Sequence, residues 1–317
     1  MDGSYTGAGA HLKYRLNLED TNHAIQTFYA GPSNVYTLQR VGNDSILSRC
    51  AIQSDGETAV QAEASMILQG FGHSQILQYF EHGADNTPYF WVGTRGALTD
   101  QGSTTEWPTQ LGRVHYVSGA TLDYTATTRL ISARYIGGAS FSHILRVEGA
   151  LSSDKSTLMV IGIDTEHPRH AQFAIYDNEA INNILDTVDG SGDPTIGFDD
   201  SRVNASGVRL GTFPVSSVYP LSQYDSIQGT ELADNNAIYF SASASEKNAI
   251  AISKMNWGAQ SSEHQVVDNM YWTSRETEGE GIQLSGDDVL IGICLYPDGS
   301  TGSARDNRIY SFPKSAF

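Results

Sequence analysis

The chain has 317 residues, of which 39% are hydrophobic and 17% charged, and its 19 basic and 36 acidic residues leave a formal net charge of −17. This composition is that of a globular domain rich in β-forming residues, and it excludes disordered and coiled-coil classes. The charge would repel a phosphate backbone, and Lys and Arg are scattered, so nucleic acid and anionic membranes are excluded as partners. No apolar run reaches 18 residues, so membrane insertion is not expected.

The first segment, residues 1–10, is rich in Gly, Ser and Ala and is expected to be flexible. Met1–Ser4 has neither the basic nor the apolar region of a secretory signal peptide. The chain is therefore cytosolic, was produced in its mature form, or leaves the cell by another route. His11–Asn17 alternates as a strand does, and we expect it to complete the last of the repeated units that follow.

The same order of strands and turns recurs five times, in units that start near residues 24, 73, 143, 227 and 282. In each unit a first strand with Gln or His leads through a turn to a nearly continuous apolar second strand, as in an antiparallel meander. Asp225–Lys254 has the clearest pattern, with turn residues at Ala233–Asn236 and a third run at Ala249–Lys254. The uneven spacing of the units requires loop insertions between them.

The second strands indicate how the units pack. Leu158–Ile163 and Val289–Leu295 are apolar on both faces, so both faces must be covered. Sheets stacked radially around an axis provide this cover. The pattern therefore predicts one all-β domain over residues 1–317, a five-bladed β-propeller, and the alternative is a sandwich or an unrelated set of hairpins.

Three other segments have patterns of their own. Ala59–Gly70 holds helix formers and ends at Gly, so it is either a short helix or the outer strand of the first unit. Gly96–Arg113 is predicted to be a long polar loop before a strand at Leu111–Val117. Asp177–Leu185 has a capping Asp and apolar residues at helical spacing, which predicts one short helix in an inter-blade insertion.

The two cysteines, Cys50 and Cys294, fall in the first and fifth units, which would be neighbours in a closed ring. They form either one disulfide or two buried thiols, and isolated Cys residues are usually small buried apolar side chains. The cysteine count therefore does not decide the redox compartment.

Four stretches resemble a known family, and they are Gly72–Gln75, Phe173–Asp186, Asp225–Tyr239 and Glu280–Ser311. In these stretches and their order, the chain from about residue 70 onward is similar to the helveticin J family, the class III bacteriocins and related surface proteins of lactic acid bacteria. The resemblance implies a secreted or surface-associated antibacterial protein that acts on a cell-wall or glycan target of other bacteria. The N-terminal third matches less well, and the chain is more acidic and poorer in Lys than such proteins.

In a propeller the first strand of each unit lines the central channel, and ligands commonly bind at its mouth. The five units place these uncharged polar side chains there: Gln26, His73, Gln75, His143, Gln228 and Gln283. Such a ring offers donors and acceptors without net charge, which suits sugar hydroxyls or ordered water. The alternative is structural, because buried polar groups must be hydrogen-bonded whatever the function.

Tryptophans are the second set of candidate ligand-binding residues. Trp107, Trp257 and Trp272 fall in or beside loops, where an indole either stacks on a sugar ring or packs at the rim of a sheet. Trp91 lies inside an apolar strand and is predicted to be core.

Glycoside hydrolysis needs two carboxylates beside the scissile bond, and the first strands are largely neutral. The nearest acids are Asp225, Glu231, Glu148, Glu278 and Glu280. A pair such as Glu280 with Asp225 on adjacent units is the basis of the hydrolase alternative. The sequence has no Gly-x-Ser-x-Gly elbow, and two isolated Cys give no Cys–His signature of nucleophilic catalysis.

No cofactor or metal is expected. His167 and His170 flank a proline, which prevents a helical pair of ligands, so a solvated turn is predicted there. Asp298–Gly302 with Asp306–Asn307, and Asp85–Asn86, offer oxygen ligands suited to calcium. Neither has the spacing of a known calcium loop.

These observations predict a propeller that binds a glycan or another envelope component as a bacteriocin-like or lectin-like module without covalent chemistry. Two alternatives remain, namely a glycan-active hydrolase with inner-strand carboxylates and a lectin subunit that joins a partner protein in a larger toxin assembly. The secreted location follows from the family resemblance alone.

Overall fold

The computed structural model describes residues 9–100, 103–225, 227–244, 249–268, 276–299 and 302–317. In this part of the chain the structure is all-β, as predicted, with short helices in the connections. Hydrogen-bonded pairing joins the strands into four sheets, one of ten strands, one of five and two of four.

The ten-stranded sheet contains strands from both ends of the chain. Its strands are β1 (His11–Asn17), β2 (Ile25–Ala30), β3 (Asn34–Val41), β4 (Asp44–Ile52), β5 (Thr58–Gln61), β6 (Met66–Gln69), β10 (Thr121–Asp123), β21 (Thr277–Ser285), β22 (Asp288–Leu295) and β23 (Asp306–Pro313). Strand β1 pairs antiparallel with β23 and parallel with β5. The predicted first strand therefore joins the beginning of the chain to its end.

The other three sheets follow in chain order around the molecule. The five-stranded sheet contains β7 (Leu77–His82), β8 (Thr87–Ala97), β9 (Trp107–Val114), β11 (Arg129–Ile131) and β15 (Thr195–Gly197). The next sheet contains β12 (Ile144–Leu151), β13 (Thr157–Asp164), β14 (Ala171–Asp177) and β16 (Arg209–Val215). The last contains β17 (Gly229–Leu232), β18 (Ile238–Ala244), β19 (Ala249–Met255) and β20 (Glu263–Val267).

Helix α1 (Asn178–Asp186) lies in the connection after β14, where the sequence predicts it. The Asp177 side chain caps it by accepting a hydrogen bond from the backbone N–H of Ala180 at 2.8 Å. Trp91 is fully buried, as predicted, and its indole N–H donates to Asn178 Oδ1 at 2.9 Å. Short 3₁₀ turns lie at Tyr124–Ala126, Ala133–Gly138, Tyr219–Leu221, Gln223–Asp225 and Lys314–Ala316.

Apolar layers separate neighbouring sheets, and β13 illustrates why its sequence is apolar throughout. Leu158 and Val160 face the layer shared with the five-stranded sheet, whereas Met159 and Ile161 face the layer shared with β18. All four side chains are fully buried. Burial of each contributes about 1.5–3 kcal/mol. The prediction that such strands are covered on both faces is confirmed.

The first strands of the units lie side by side in a closed ring. Strand β2 contacts β21 and β7, β12 contacts β7 and β17, and β17 contacts β21. Sheets that pack face to face around such a ring form a β-propeller. These five strands, β2, β7, β12, β17 and β21, are called the inner strands below.

Several segments differ from the prediction or decide between its alternatives. Ala59–Gly70 contains β5 and β6, so the strand alternative is correct and no helix forms there. The predicted loop Gly96–Arg113 is shorter, because β8 extends to Ala97 and β9 begins at Trp107. Cys50 and Cys294 are free and fully buried, and burial raises the pKa of Cys50 to about 12.

Candidate ligand-binding site

Gln26 in β2 and His73, which precedes β7, meet where the His73 ring nitrogen Nε2 is hydrogen-bonded to Gln26 Oε1. The His73 ring stacks on the indole of Trp107, with centroids 4.6 Å apart and an interplanar angle of 8°. Burial lowers the pKa of His73 to about 3, and the charges of Arg40 and Arg146 add to this effect. His73 is therefore a neutral hydrogen-bonding group.

The position of His73 depends on two glycines. A Cβ on Gly72 would lie 2.4 Å from the Cα of Gly96, so only glycine permits the backbone segments to approach this closely. Gly72 also has φ of +76°, which disfavours other residues. The His73 backbone N–H donates to Glu106 O at 2.7 Å, which ties the segment to the residue before β9.

Gln75 and Gln228 meet directly across the axis, where Gln75 Nε2 donates to Gln228 Oε1 at 2.5 Å. Gln75 Oε1 accepts a hydrogen bond from Arg146 Nη1 at 3.2 Å. The other terminal nitrogen of Arg146 donates to the Ile227 carbonyl at 3.1 Å. Three segments of the ring are thus tied together by one amide pair and one guanidinium.

A second layer of polar contacts lies further along the inner strands. Gln78 Nε2 donates to Glu231 Oε1 at 2.5 Å, and Gln78 Oε1 accepts from the Leu151 N–H at 3.1 Å. The other Glu231 oxygen accepts from the Leu284 N–H at 3.2 Å. Gln78 was not among the predicted residues, although it lies three positions after Gln75 in the same segment. These contacts tie β7, β12, β17 and β21 together at this depth.

Gln283 acts between two neighbouring inner strands. Its Oε1 accepts from the Ala30 N–H at 2.6 Å, and its Nε2 donates to the Ala30 carbonyl at 3.1 Å. The two bonds replace a backbone pair between β21 and β2. The axial amides therefore satisfy one another and the backbone, which supports the structural alternative for them.

The remaining predicted residues lie away from this network or outside the described residues. His143 is exposed, precedes β12 and lines a separate groove. Trp257 is partly buried and packs edge-on against Phe213, with ring centroids 4.7 Å apart. Trp272 lies outside the described residues.

The expectation of a largely neutral axis is wrong. Arg146, Glu148, Glu231 and Glu280 lie on inner strands, and each is at most 5% exposed. Arg146 Nη1 is 3.3 Å from Glu148 Oε1. Glu148, Glu231 and Glu280 are among the acids that the sequence places nearest the axis, whereas Arg146 was not predicted. Glu280 falls in a register irregularity of β21, where strand alternation does not predict its direction.

Burial changes the protonation of the buried carboxyls. It raises the pKa of Glu148, and Arg146 opposes this shift. It raises the pKa of Glu231 to about 7 against the opposing charge of Lys155. It raises the pKa of Glu280 well above the usual value, and the charge of Glu278 adds to this. Glu280 Oε2 has no hydrogen-bond partner among the described residues.

A groove of about 420 Å³ opens beside the start of the inner strands. It is lined by Asp100, Ser103, Trp107, Leu145, His167, Pro168, Arg169, Ser217, Tyr219 and Pro220. We call it the Trp107 groove. Neither Glu231 nor Glu280 lines the Trp107 groove, so these two carboxyls with raised pKa values do not contact it.

The Trp107 groove combines aromatic rings with a charged pair. The Arg146 guanidinium carbon lies 4.3 Å from the Trp107 ring centroid and 6.0 Å from that of Tyr219. Arg169 Nη2 donates to Asp100 Oδ2, which orients both polar groups at the groove wall. A planar ring beside fixed donors and acceptors suits a polar ligand with an apolar face, such as a sugar.

The described residues contain no group of His, Cys, Asp and Glu that could hold a metal ion. His170 Nδ1 contacts Asp164 Oδ2 at 2.8 Å, whereas His167 lines the Trp107 groove. The calcium candidate Asp298–Gly302 lies in part outside the described residues. Within the described ranges no helix is long and apolar enough to cross a membrane.

Comparison with solved structures finds similar chains at low sequence identity. The tail fiber of Staphylococcus aureus phage P68 is 11% identical, with a TM-score of 0.63 over 97% of this chain and 53% of that chain. This chain thus spans about half the length of the tail fiber. A GH43_1 enzyme from Xanthomonas citri is 8% identical over 96% of this chain and 90% of that chain, with a TM-score of 0.42, which is too low to support an argument.

The comparison with sequence families is more specific. No curated protein matches the chain. The profile of the family described as bacteriocin helveticin-J matches residues 7–315. The match includes the N-terminal third, where the sequence motifs are weaker, and it extends over nearly the whole described structure. The chain belongs to the helveticin-J bacteriocin family.

Proposed function

We propose that the chain is a five-bladed propeller and acts as the recognition module of a secreted bacteriocin. The ring of five inner strands supports this blade count. Five apolar clusters among the described residues also support it, since one layer is needed between each pair of neighbouring blades. The ten-stranded sheet then counts as two blades that β1 joins by its parallel pairing with β5.

The proposed ligand is a glycan or another component of a bacterial envelope, bound in the Trp107 groove without covalent chemistry. The single observation that carries this proposal is the groove itself, where Trp107 and Tyr219 lie beside the Asp100–Arg169 pair in a space of about 420 Å³. Membership of a bacteriocin family supports a bacterial target and a secreted protein. The axial amides bond one another, so the mouth of the channel is the better candidate than its interior.

The test is a glycan array with the whole chain and two tryptophan variants. Trp107→Ala removes the ring that lines the groove, and we expect affinity for any bound glycan to fall tenfold or more. Trp257→Ala is the matched control, because Trp257 is also partly buried but packs against Phe213 outside the groove. Thermal unfolding of both variants checks that they are folded at the assay temperature. Equal binding by wild type and Trp107→Ala, or no glycan bound by wild type, would refute the proposal.

A hydrolase is the second candidate, and the raised pKa values of Glu231 and Glu280 favour it because a general acid must be protonated near neutral pH. The array hit is incubated with the protein, and reducing ends are measured. Release that is abolished by Glu280→Gln supports the hydrolase, whereas binding without release supports recognition. A lectin subunit of a larger toxin assembly would instead co-purify with a partner chain.

A further inference from the structure

A second groove of about 450 Å³ lies next to the Trp107 groove along the chain. Thr99 and Ile144 line it, and their neighbours Asp100 and Leu145 line the Trp107 groove. The full lining is Arg95, Ala97, Leu98, Thr99, Thr109, Gln110, Ser132, Ala133, Arg134, Ser142, His143 and Ile144. We call it the Arg95 groove.

The lining of the Arg95 groove is basic, although acidic residues outnumber basic ones 36 to 19 in the chain. It contains Arg95, Arg134 and His143, and no Asp or Glu. The Glu166 carboxylate contacts the lining, and its Oε1 accepts from the Ser142 hydroxyl at 3.1 Å. A local excess of positive charge on such an acidic protein is a specific feature of this groove.

The two arginines have no acidic partner among the described residues. The Arg95 guanidinium forms neither a hydrogen bond nor an ion pair there, and its side chain is exposed. Arg134 Nη2 donates to the neutral phenol of Tyr135, and its guanidinium carbon lies 4.5 Å from that ring centroid. Both retain N–H groups that are free to donate to a ligand.

Further donors and charge lie behind the arginines. Gln110 Oε1 accepts from Arg129 Nε at 2.8 Å, which leaves the Gln110 amide N–H groups for the groove. Burial lowers the pKa of Arg129, and the charge of Arg95 lowers it further, whereas Asp193 opposes the shift. Arg95 and Arg129 thus lie close enough to repel each other. A bound anion would relieve that repulsion.

We propose that the Arg95 groove binds a phosphate group carried by the target polymer. The donors reach the groove from three segments, namely β8, β9 and residues 132–144. A tetrahedral phosphate has three acceptor oxygens that point in different directions, whereas a carboxylate has two oxygens in one plane. The Arg95 groove shares no lining residue with the Trp107 groove, so phosphate binding can be measured whether or not a sugar binds there. The target polymer as the carrier of the phosphate rests on the proposed function.

The test titrates the whole chain with inorganic tripolyphosphate at low salt in a calorimeter. Arg95 has φ of +56°, so Arg95→Asn is the chosen variant because Asn tolerates this backbone conformation. We expect Arg95→Asn and Arg134→Ala each to weaken binding about tenfold, as loss of a charge-assisted hydrogen bond does. Arg202→Ala is the control, since it removes the same charge from an exposed pair with Asp200.

A local phosphate site is supported if both groove variants lose affinity for tripolyphosphate and Arg202→Ala keeps an affinity within twofold of wild type. Absence of saturable binding to wild type overturns the proposal, and so does equal weakening by the three substitutions, because that indicates only the overall charge. A parallel titration with citrate, a multiply charged carboxylate, separates the two kinds of anion. Citrate affinity equal to that of tripolyphosphate overturns the assignment to phosphate.

Discussion

Replacement of Arg146 by methionine tests whether the axis is held by a buried ion pair. Arg146 and Glu148 are each 2% exposed in their side chains, with 3.3 Å between Nη1 and Oε1. Arg146 also donates to Gln75 Oε1 and to the Ile227 carbonyl. Methionine keeps much of the volume but leaves the Glu148 carboxylate buried without a counter-charge.

The expected loss is about 3–5 kcal/mol in the free energy of unfolding at pH 7, the usual cost of removing one partner of a buried pair. This is a large part of the 5–15 kcal/mol that is typical for folded proteins. The double variant Arg146→Met with Glu148→Gln removes both charges, so we expect it to recover about 2 kcal/mol of that loss. The pKa of Glu148 is already raised by burial, and it should rise further without Arg146.

Urea unfolding of wild type, Arg146→Met, Glu148→Gln and the double variant gives these free energies of unfolding. Below the unfolded pKa of a glutamate, Glu148 is protonated in both states and the penalty of Arg146→Met should shrink. Arg202→Met is the control, since Arg202 and Asp200 form an exposed pair. A loss below about 1 kcal/mol for Arg146→Met, or a double variant no more stable than the single one, would contradict the role of the pair.

Three further predictions concern the buried Glu280, the exposed Asp186 and the capping Asp177. The pKa of Glu280 is raised, so its stabilising contribution is full below the unfolded pKa and is lost as pH rises through the folded pKa. Glu280→Gln should therefore flatten the fall in thermal stability with rising pH. An unchanged slope of stability against pH would argue against this. Burial raises the pKa of Asp186, but hydrogen bonds from His82 and Arg113 outweigh this effect and lower the pKa. Asp186 therefore contributes a stabilisation that wild type loses as pH falls through the folded pKa, and Asp186→Asn should remove it. Parallel acid unfolding curves for the two proteins would disprove this. Asp177→Ala should cost about 1 kcal/mol by loss of the cap of α1, with Asp177→Asn as a control that keeps the cap, and equal stability of the two in urea would reject it.

Much of the fold could be predicted because it depends on local patterns. Turn residues and alternating apolar runs mark the strands, and helix α1 follows from Asp177 as cap and its helical spacing of apolar residues. The site was harder to predict. Gln26 is the unpaired residue at a register irregularity in β2, and His143 precedes β12, so strand alternation predicts the direction of neither side chain.

By itself, the sequence determined the class of fold, the order of strands and turns, and the family, because each is encoded in neighbouring residues or in their periodicity. Only the tertiary structure decided which polar side chains meet. Gln75 and Gln228, 153 positions apart, bond across the axis, and Trp107 stacks on His73. Such contacts depend on how the sheets pack and where the inner strands bulge, and neither is visible in the local pattern of a strand.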